Sequence, residues 1–230
     1  MIVGSGLLAR AFAADFGTSH QVCIYSAGVS NSGCRDAREF RRESTRLAEA
    51  MERSRDFDAF VYFGTCSAGD PEGFDTPYVE HKLRMERLVA EHPQHLILRL
   101  PQVAGPTVNP HTLLNYLYAR ISRSESFQLW LRARRNVVDV QDVAAIAREL
   151  IRPPEMRRQI VNVANTVSHS IADIVLTFEA VIGKSAVCER VDTGTAYHID
   201  TTVIRPYLNA AGVHFDDHYL QNVISKYYGK

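Results

Sequence analysis

Tyr78 and Lys82 stand four residues apart in Thr76-Pro77-Tyr78-Val79-Glu80-His81-Lys82. On a helix that spacing puts both side chains on one face, one turn apart. Pro77 suits a first helical position and Thr76 the cap before it, so the pair is expected at a helix start. There the positive end of the helix dipole and the lysine charge both favour phenolate over phenol. A phenol of lowered pKa serves as general acid or base near neutral pH. The bland reading of a Tyr-x-x-x-Lys spacing is an exposed helix face, so its weight rests on the residues around it.

Upstream, Gly64-Thr65-Cys66-Ser67 follows the apolar run Phe57 to Phe63, which reads as a buried strand. The hydroxyls of Thr65 and Ser67 therefore fall at the C-terminal edge of a strand, where open parallel sheets bind ligands. Further back, Met1-Ile2-Val3 runs into Gly4-Ser5-Gly6-Leu7-Leu8-Ala9, and Ala11, Phe12 and Phe16 continue a helical apolar pattern. Strand, glycine turn and helix in that order let backbone approach a pyrophosphate and offer it the free N–H groups of a helix start. The competing reading is small residues easing a tight turn.

A second strand, Gln21 to Ser26, leads into Ala27-Gly28-Val29-Ser30-Asn31 with no Asp or Glu to hold the hydroxyls of an adenosine ribose. Either Ser26, Ser30 and Asn31 sit beside a ribose phosphate, or this strand is a later one and the ribose-binding strand is missing. Asp36 to Ser54 reads as an amphipathic helix with Phe40, Ser44, Leu47 and Met51 inward and its dense Arg and Glu on a solvated face. A turn rich in Gly, Asp and Pro precedes the Tyr78 helix, which runs to about Glu91.

Leu96 to Leu100 is another strand, broken by Pro101. A helix is expected over Thr112 to Ile121 and an extended stretch over Phe127 to Leu131, and Asn136 to Val140 is an apolar stretch carrying Asp139. Arg132, Arg134 and Arg135 before it suit either surface charge or bidentate phosphate contacts. Asp142 reads as the cap of a helix through Ile151, Gln159 to Ala164 as a strand, and Ser170 with Asp173 as the bracket opening a helix through Ile182. Cys188 to Asp200 reads as irregular, and short helices are expected at about Thr201 to Ala211 and Asp216 to Tyr228.

The 230 residues support one compact domain or a domain with a small appendage. Lys plus Arg equals Asp plus Glu, at 26 each, so no overall field draws nucleic acid or an anionic membrane. The cysteines Cys23, Cys34, Cys66 and Cys188 have no pairing spacing and suit a reducing cytosol. His214 and His218, the one i, i+4 histidine pair, lack a third ligand nearby, so no metal site is expected. No apolar run is long enough to span a bilayer, and no basic leader precedes the first apolar residues, so a cytoplasmic protein is expected.

Taken in order, these features resemble the extended short-chain dehydrogenase/reductase family, the NAD(P)-dependent epimerases, dehydratases and reductases of nucleotide sugars. The resemblance is carried by Gly4 to Ala9, Tyr25-Ser26-Ala27-Gly28, Gly64-Thr65-Cys66-Ser67 and Tyr78 with Lys82. It continues through Leu98 to Pro106, Arg135-Asn136-Val137-Val138-Asp139-Val140-Gln141-Asp142 and Ile160 to Ala164. It implies an α/β fold with a Rossmann-like parallel sheet and helices on both faces, plus a small C-terminal substrate-binding region. Residues 1–105 and 136–165 would form the Rossmann-like core of a single domain, and 106–135 with 166–230 its substrate-side lobe. Only some twenty residues separate Gly6 from Gly28, which implies a truncated member lacking the second and third strands and their ribose-binding acid.

The resemblance also implies roles. Tyr78 would be the acid/base, Lys82 would lower its pKa and hold the nicotinamide ribose, and Thr65, with Ser67 as the competing choice, would orient the reacting oxygen. NAD or NADP would lie along Gly4, Gly6, Leu7, Leu8, Ser26, Ala27 and Gly28 and reach Pro101 and Val103. A nucleotide sugar would meet Ser67, Gln102, Asn109 and Arg135, with Asn115 a further substrate contact. The implied activity is reduction or epimerisation of a nucleotide-linked keto-sugar, as in surface polysaccharide or deoxysugar synthesis. The alternative is a degenerate member that binds a nucleotide sugar or a protein partner without redox chemistry. Family members often pair through the helices that match residues 36–54 and 77–91, which implies a homodimer.

Overall fold

The computed structural model describes residues 1–70 and 76–229; the turn rich in Gly, Asp and Pro falls mostly outside them. Five parallel strands form the central sheet: β1 (Ile2–Val3), β2 (Val22–Tyr25), β3 (Ala59–Thr65), β4 (His95–Leu100) and β9 (Gln159–Asn162). They pair in that order, with Ile2 opposite Ile24, Ile24 opposite Val61 and Val61 opposite Leu96. Alternation along each strand sends Ile24, Val61 and Leu96 to one face and Tyr25, Tyr62 and Ile97 to the other. Burial on both faces explains why β3 and β4 read as continuous apolar runs.

The first face is covered by α1 (Leu7–Phe16), α5 (Val140–Ile151) and α7 (Arg205–Ala211), through Phe12, Val143, Leu150 and Leu208. The second is covered by α2 (Ala37–Arg53) and α3 (Pro77–Val89), through Leu47, Met85 and Val89. The steps from β1 to β2 and from β2 to β3 run the same way across the sheet, yet α1 and α2 lie on opposite faces. Two such connections must have opposite hands. The α2 and α3 connections share one face and direction, while α1 and, on the long path from β4 to β9, α5 lie on the other face. Taking the simple one-helix crossovers of α2 and α3 as right-handed makes the α1 connection left-handed.

That departure has a structural reason. An α1 on this face is right-handed only if the next strand lies on the far side of β1, where none pairs among the described residues. The sheet therefore has the form expected if two strands beyond β1 are absent and β2 is the later strand.

The remaining elements gather round a separate apolar cluster. It is built from α4 (Leu113–Ser122), β6 (Phe127–Trp130), α6 (Ile171–Ile182) and α8 (Tyr219–Tyr228), with Leu117, Leu129, Phe178 and Ile224 buried. Two further short ladders form. β5 (Gln102–Ala104) pairs with β8 (Val137–Asp139), and β7 (Arg134–Arg135) pairs with β10 (His169–Ser170).

Several local expectations change. Residues 188–191, expected to be irregular, form β11 (Cys188–Val191), because the exposed edge of β6 offers a parallel ladder that sequence cannot show. The cap of α5 is Asp139, which accepts from the Gln141 N–H at 2.8 Å, and not Asp142. Asp142 sits in the first turn and accepts from the Tyr219 hydroxyl at 2.5 Å. Lys226 and Tyr227 bond Asp139, each at 2.7 Å, so α8 is fastened to the start of α5 by polar contacts as well as by its apolar face. The bracket at α6 is a full capping box between Ser170 and Asp173.

Candidate active site

β3 ends on Thr65 at the C-terminal edge of the sheet, and its hydroxyl accepts from the Ser67 N–H at 3.2 Å. α3 starts beside it. Thr76 caps the helix by accepting from the Val79 N–H at 3.2 Å, with Pro77 in the first turn. Tyr78 and Lys82 then project from one face, 8% and 3% exposed. Thr65, Cys66 and Tyr197 lie close enough to the Tyr78 phenol to influence it.

These groups open onto a groove of about 840 Å³. At one end lies the glycine turn with Gly4, Gly6, Leu7 and Leu8, and beside it Ser26, Ala27 and Gly28. At the other end Thr65, Ser67, Tyr78 and Lys82 face Pro101, Gln102, Val103 and Asn109. Arg135 lies outside this groove. It lines an adjoining cavity of about 380 Å³ with His111, Thr112 and Tyr116, and Gln102 borders both. Asn115 is absent from both linings. Its amide donates to the carbonyls of Thr107 and Asn109 and accepts from the Tyr228 hydroxyl at 2.7 Å, so it is occupied in holding the loop before α4.

The glycine turn has the shape a phosphate group needs. Gly4 has φ of +126°, and a Cβ there would sit 2.7 Å from the Ser26 carbonyl oxygen, so only glycine fits against β2. Gly6 caps α1 with no side chain occupying the helix N–H groups, and a Cβ on it would meet nothing within 4 Å. Open space over unoccupied N–H groups at the positive end of a helix is where a pyrophosphate is held. Arg10 braces the turn by donating to the carbonyls of Ser5 and Pro106. Beyond Tyr25 the groove wall is basic, with Arg42 and Arg46 of α2 on its lining.

Sequence reading missed the group that governs the charge of this site. Glu43, assigned with its neighbours to a solvated face, is 0% exposed. Its Oε1 accepts from Lys82 Nζ at 3.0 Å and from the Tyr62 hydroxyl at 2.8 Å. Its Oε2 accepts from the Val29 N–H at 2.7 Å and lies 2.9 Å from His81 Nε2. The two remaining protons of Lys82 are met by the Tyr62 hydroxyl at 3.1 Å and the Phe63 carbonyl at 3.4 Å. Gly28 is required for this packing, since a Cβ there would lie 2.7 Å from Lys82 Nζ. The signal in the sequence was the position of Glu43, three residues after Phe40 and four before Leu47, on the apolar stripe of α2.

The expectation that Tyr78 is acidified is therefore corrected. Burial pushes its pKa up, the Glu43 carboxylate pushes it further, and the nearby Thr65 hydroxyl opposes both without prevailing. The lysine charge counted on to favour phenolate is matched by Glu43 at salt-bridge distance. Tyr197, from the irregular segment before α7, places a second phenol 3.4 Å from Ser67 Oγ, where nothing in its local sequence pointed. Among the described residues no group of three or more His, Cys, Asp or Glu is placed to hold a metal, and no helix is long and apolar enough to cross a membrane.

No protein-family model matches the chain, and no curated protein matches its sequence. Solved structures match its fold. UDP-glucuronic acid 4-epimerase from Bacillus cereus in complex with NAD aligns at TM-score 0.73 and 18% identity, over 96% of this chain and 76% of that one. RMD from Pseudomonas aeruginosa complexed with NADPH aligns at TM-score 0.72 and 16% identity, over 99% of each chain. UDP-glucose 4-epimerase from Thermus thermophilus in complex with NAD gives 0.69 and 16%, over 95% of this chain and 80% of that one. The fold is the Rossmann-like one of these solved structures.

Proposed function

We propose that this protein is an NAD(P)-dependent enzyme that reduces or epimerises a nucleotide-linked keto-sugar, with Tyr78 as its acid/base. One observation carries the reading: Thr65, Tyr78 and Lys82 meet at the C-terminal edge of a parallel sheet, in the same groove as an uncapped glycine turn. The structural neighbours support it, since their complexes hold NAD or NADPH and, in the epimerases, act on UDP-sugars. NAD(P)H, when bound, would supply the hydride, and NAD(P)+ would take it up. Gly4, Gly6 and the first turn of α1 would hold its pyrophosphate, and Ser26 to Gly28, Pro101 and Val103 would line its path towards Tyr78.

The protein's own part is proton transfer and orientation. In reduction the Tyr78 phenol gives its proton to the carbonyl oxygen of the sugar, and Thr65 steadies both the oxygen and the phenolate left behind. Lys82 stands one turn along α3 on the same groove, its charge balanced by Glu43. Ser67 and Tyr197 face the sugar, while Arg135, with its cavity beside Gln102, takes the diphosphate of the nucleotide. Tyr78→Phe should lower turnover ~10²–10⁴-fold with cofactor affinity unchanged, the loss typical of a missing general acid. Unchanged turnover would remove Tyr78 from the mechanism.

A second reading, a member that binds nucleotide sugars without redox chemistry, draws on the bare outer edge of β1 and the lack of an acidic residue for an adenosine ribose. Titration with NADH and NADPH, followed by nicotinamide fluorescence, separates the two. Saturable binding supports the enzyme, and no binding of either at high micromolar concentration supports the second reading.

A further inference from the structure

The side chains of α2 divide into three flanks. Glu43, Leu47 and Ala50 are buried beneath the helix. Phe40 and Ser44 turn towards α3, where Phe40 stacks on His81 with ring centroids 4.4 Å apart and the Ser44 hydroxyl lies 3.4 Å from the Met85 sulfur. The opposite flank carries Arg42, Arg46, Glu49 and Arg53 at successive turns, so it faces away from α3 and towards β1, the outer strand of the sheet. All four residues line the groove that holds the glycine turn.

The start of this flank stands beside the end of β2. The Tyr25 hydroxyl donates to the main-chain carbonyl of Glu43 at 3.0 Å and the Val29 N–H to its side chain, so Arg42, the residue before, lies level with Ser26 to Gly28. Arg46 is one turn on. A dinucleotide with its pyrophosphate on the glycine turn and its nicotinamide end at Tyr78 sends its adenosine end the other way, over β1. Among the described residues no strand pairs there, and the arginine flank walls that end of the groove. The polar side chains that the sequence offered for a ribose phosphate are engaged elsewhere. Ser26 donates to the Val3 carbonyl, Ser30 accepts from the Asn109 amide, and the Asn31 side chain accepts from the Gly33 N–H. Arg42 is 2.8 Å from Glu39, whereas Arg46 has no ion-pair partner among the described residues.

We infer that Arg42 and Arg46 set the cofactor selectivity of this protein: they take the 2′-phosphate of NADPH, on a groove wall where β2 ends without a carboxylate to hold a free 2′-hydroxyl. This rests on the reading of the groove as a dinucleotide site. A 2′-phosphate carries about two negative charges at neutral pH, and a guanidinium meets two of its oxygens at once. Arg53 lies seven residues beyond Arg46, ~10 Å further along the helix, and adds to the field without reaching the same group. Glu49 is the one carboxylate on this flank. It opposes an anion and is the residue that would serve NADH instead, by accepting from the 2′-hydroxyl. Three arginines against one carboxylate give the wall its sign.

Two pairs of ligands that differ only in the 2′-phosphate test this by calorimetry: NADPH against NADH, and adenosine 2′,5′-bisphosphate against 5′-AMP. Wild-type protein should bind the phosphorylated member of each pair roughly tenfold more tightly or better, the weight of one hydrogen bond to a charged group. The preference should shrink as salt is raised. Arg42 and Arg46 are exposed, so Arg42→Gln and Arg46→Gln proteins should fold, and each should lose part of the preference. Glu49→Gln should keep or increase it. A pair that binds with equal or reversed preference overturns the inference, as does a bisphosphate that does not bind. So does a double variant, Arg42→Gln with Arg46→Gln, that keeps the full preference, or a Glu49→Gln protein that loses NADH binding. Failure of the dinucleotide reading has a different signature: neither NADPH nor NADH binds, and the bisphosphate and 5′-AMP alone then decide whether these arginines hold a phosphate.

Discussion

Replacing Glu43 by glutamine changes how stability depends on pH, and the size of that change follows from the structure. Burial pushes the Glu43 carboxyl up, but His81, Lys82, the Val29 N–H and Tyr62 together outweigh it and hold the group down at about 2, against an ordinary 4.5. At ~1.4 kcal/mol per pH unit, that fall makes ionised Glu43 worth ~3 kcal/mol to the folded protein at neutral pH. The folded-state pKa is depressed, so this stability is fully present above about pH 4.5 and drains away as the pH falls towards 2. Stranding Lys82 without its partner gives a matching ~3–5 kcal/mol, which is the same interaction seen from the other side and not an addition to it.

The expected result is a gap of ~3 kcal/mol between wild type and Glu43→Gln at pH 7, or roughly 6–12 °C in melting temperature for a chain of this size. Urea denaturation of both proteins at intervals from pH 7 to pH 2 measures it. All other titrating groups are shared, so the difference isolates Glu43. The gap should close between pH 4.5 and 2. A gap that stays constant with pH would refute the reasoning, because it would show that the carboxylate is not held ionised by its neighbours.

Three further predictions concern the glycine turn and the thiols. Gly4→Ala should cost roughly 1–3 kcal/mol, since it forces a side chain into a left-handed conformation against the Ser26 carbonyl. Gly6→Ala should leave the melting temperature unchanged, because nothing in the protein lies near its Cβ, while weakening NAD(P)H binding. Equal affinity in that variant would mean that no ligand approaches the turn. Burial pushes the Cys66 thiol up to about 12 and the Cys23 thiol up to about 11. An alkylating reagent at pH 8 should therefore label the partly exposed Cys34 and Cys188 first, and Cys23 and Cys66 only after denaturation, as read by peptide mass spectrometry. Rapid labelling of Cys66 in the native protein would contradict the packing around β3.

Much of the scaffold was legible in the sequence because its determinants are local. The apolar runs of β3 and β4, Pro77 after Thr76 and the Ser170–Asp173 bracket each act within a few residues, and each formed where expected. Cap identity was less secure: with Asp139 and Asp142 three residues apart, backbone direction at the end of β8 decided which would cap α5. The ladder between β11 and β6 was invisible, since its partners lie some sixty residues apart and β11 has no alternating apolar pattern to announce it.

By itself the sequence determined that a phenol and an ammonium share one helix face beside a strand-end threonine, and that a glycine turn opens the chain. The tertiary structure alone decided what those groups are worth. Whether Lys82 acidifies Tyr78 depends on the net charge within a few ångströms, and that charge is set by Glu43, 39 residues away in the chain and on another helix. The edge beyond β1 is the opposite case: the short spacing from Gly6 to Gly28 already implied missing strands, and among the described residues no strand pairs there. Helix geometry is written in nearest neighbours, but the electrostatics of a buried site sum over whatever folding brings close, and no spacing in the sequence encodes that sum.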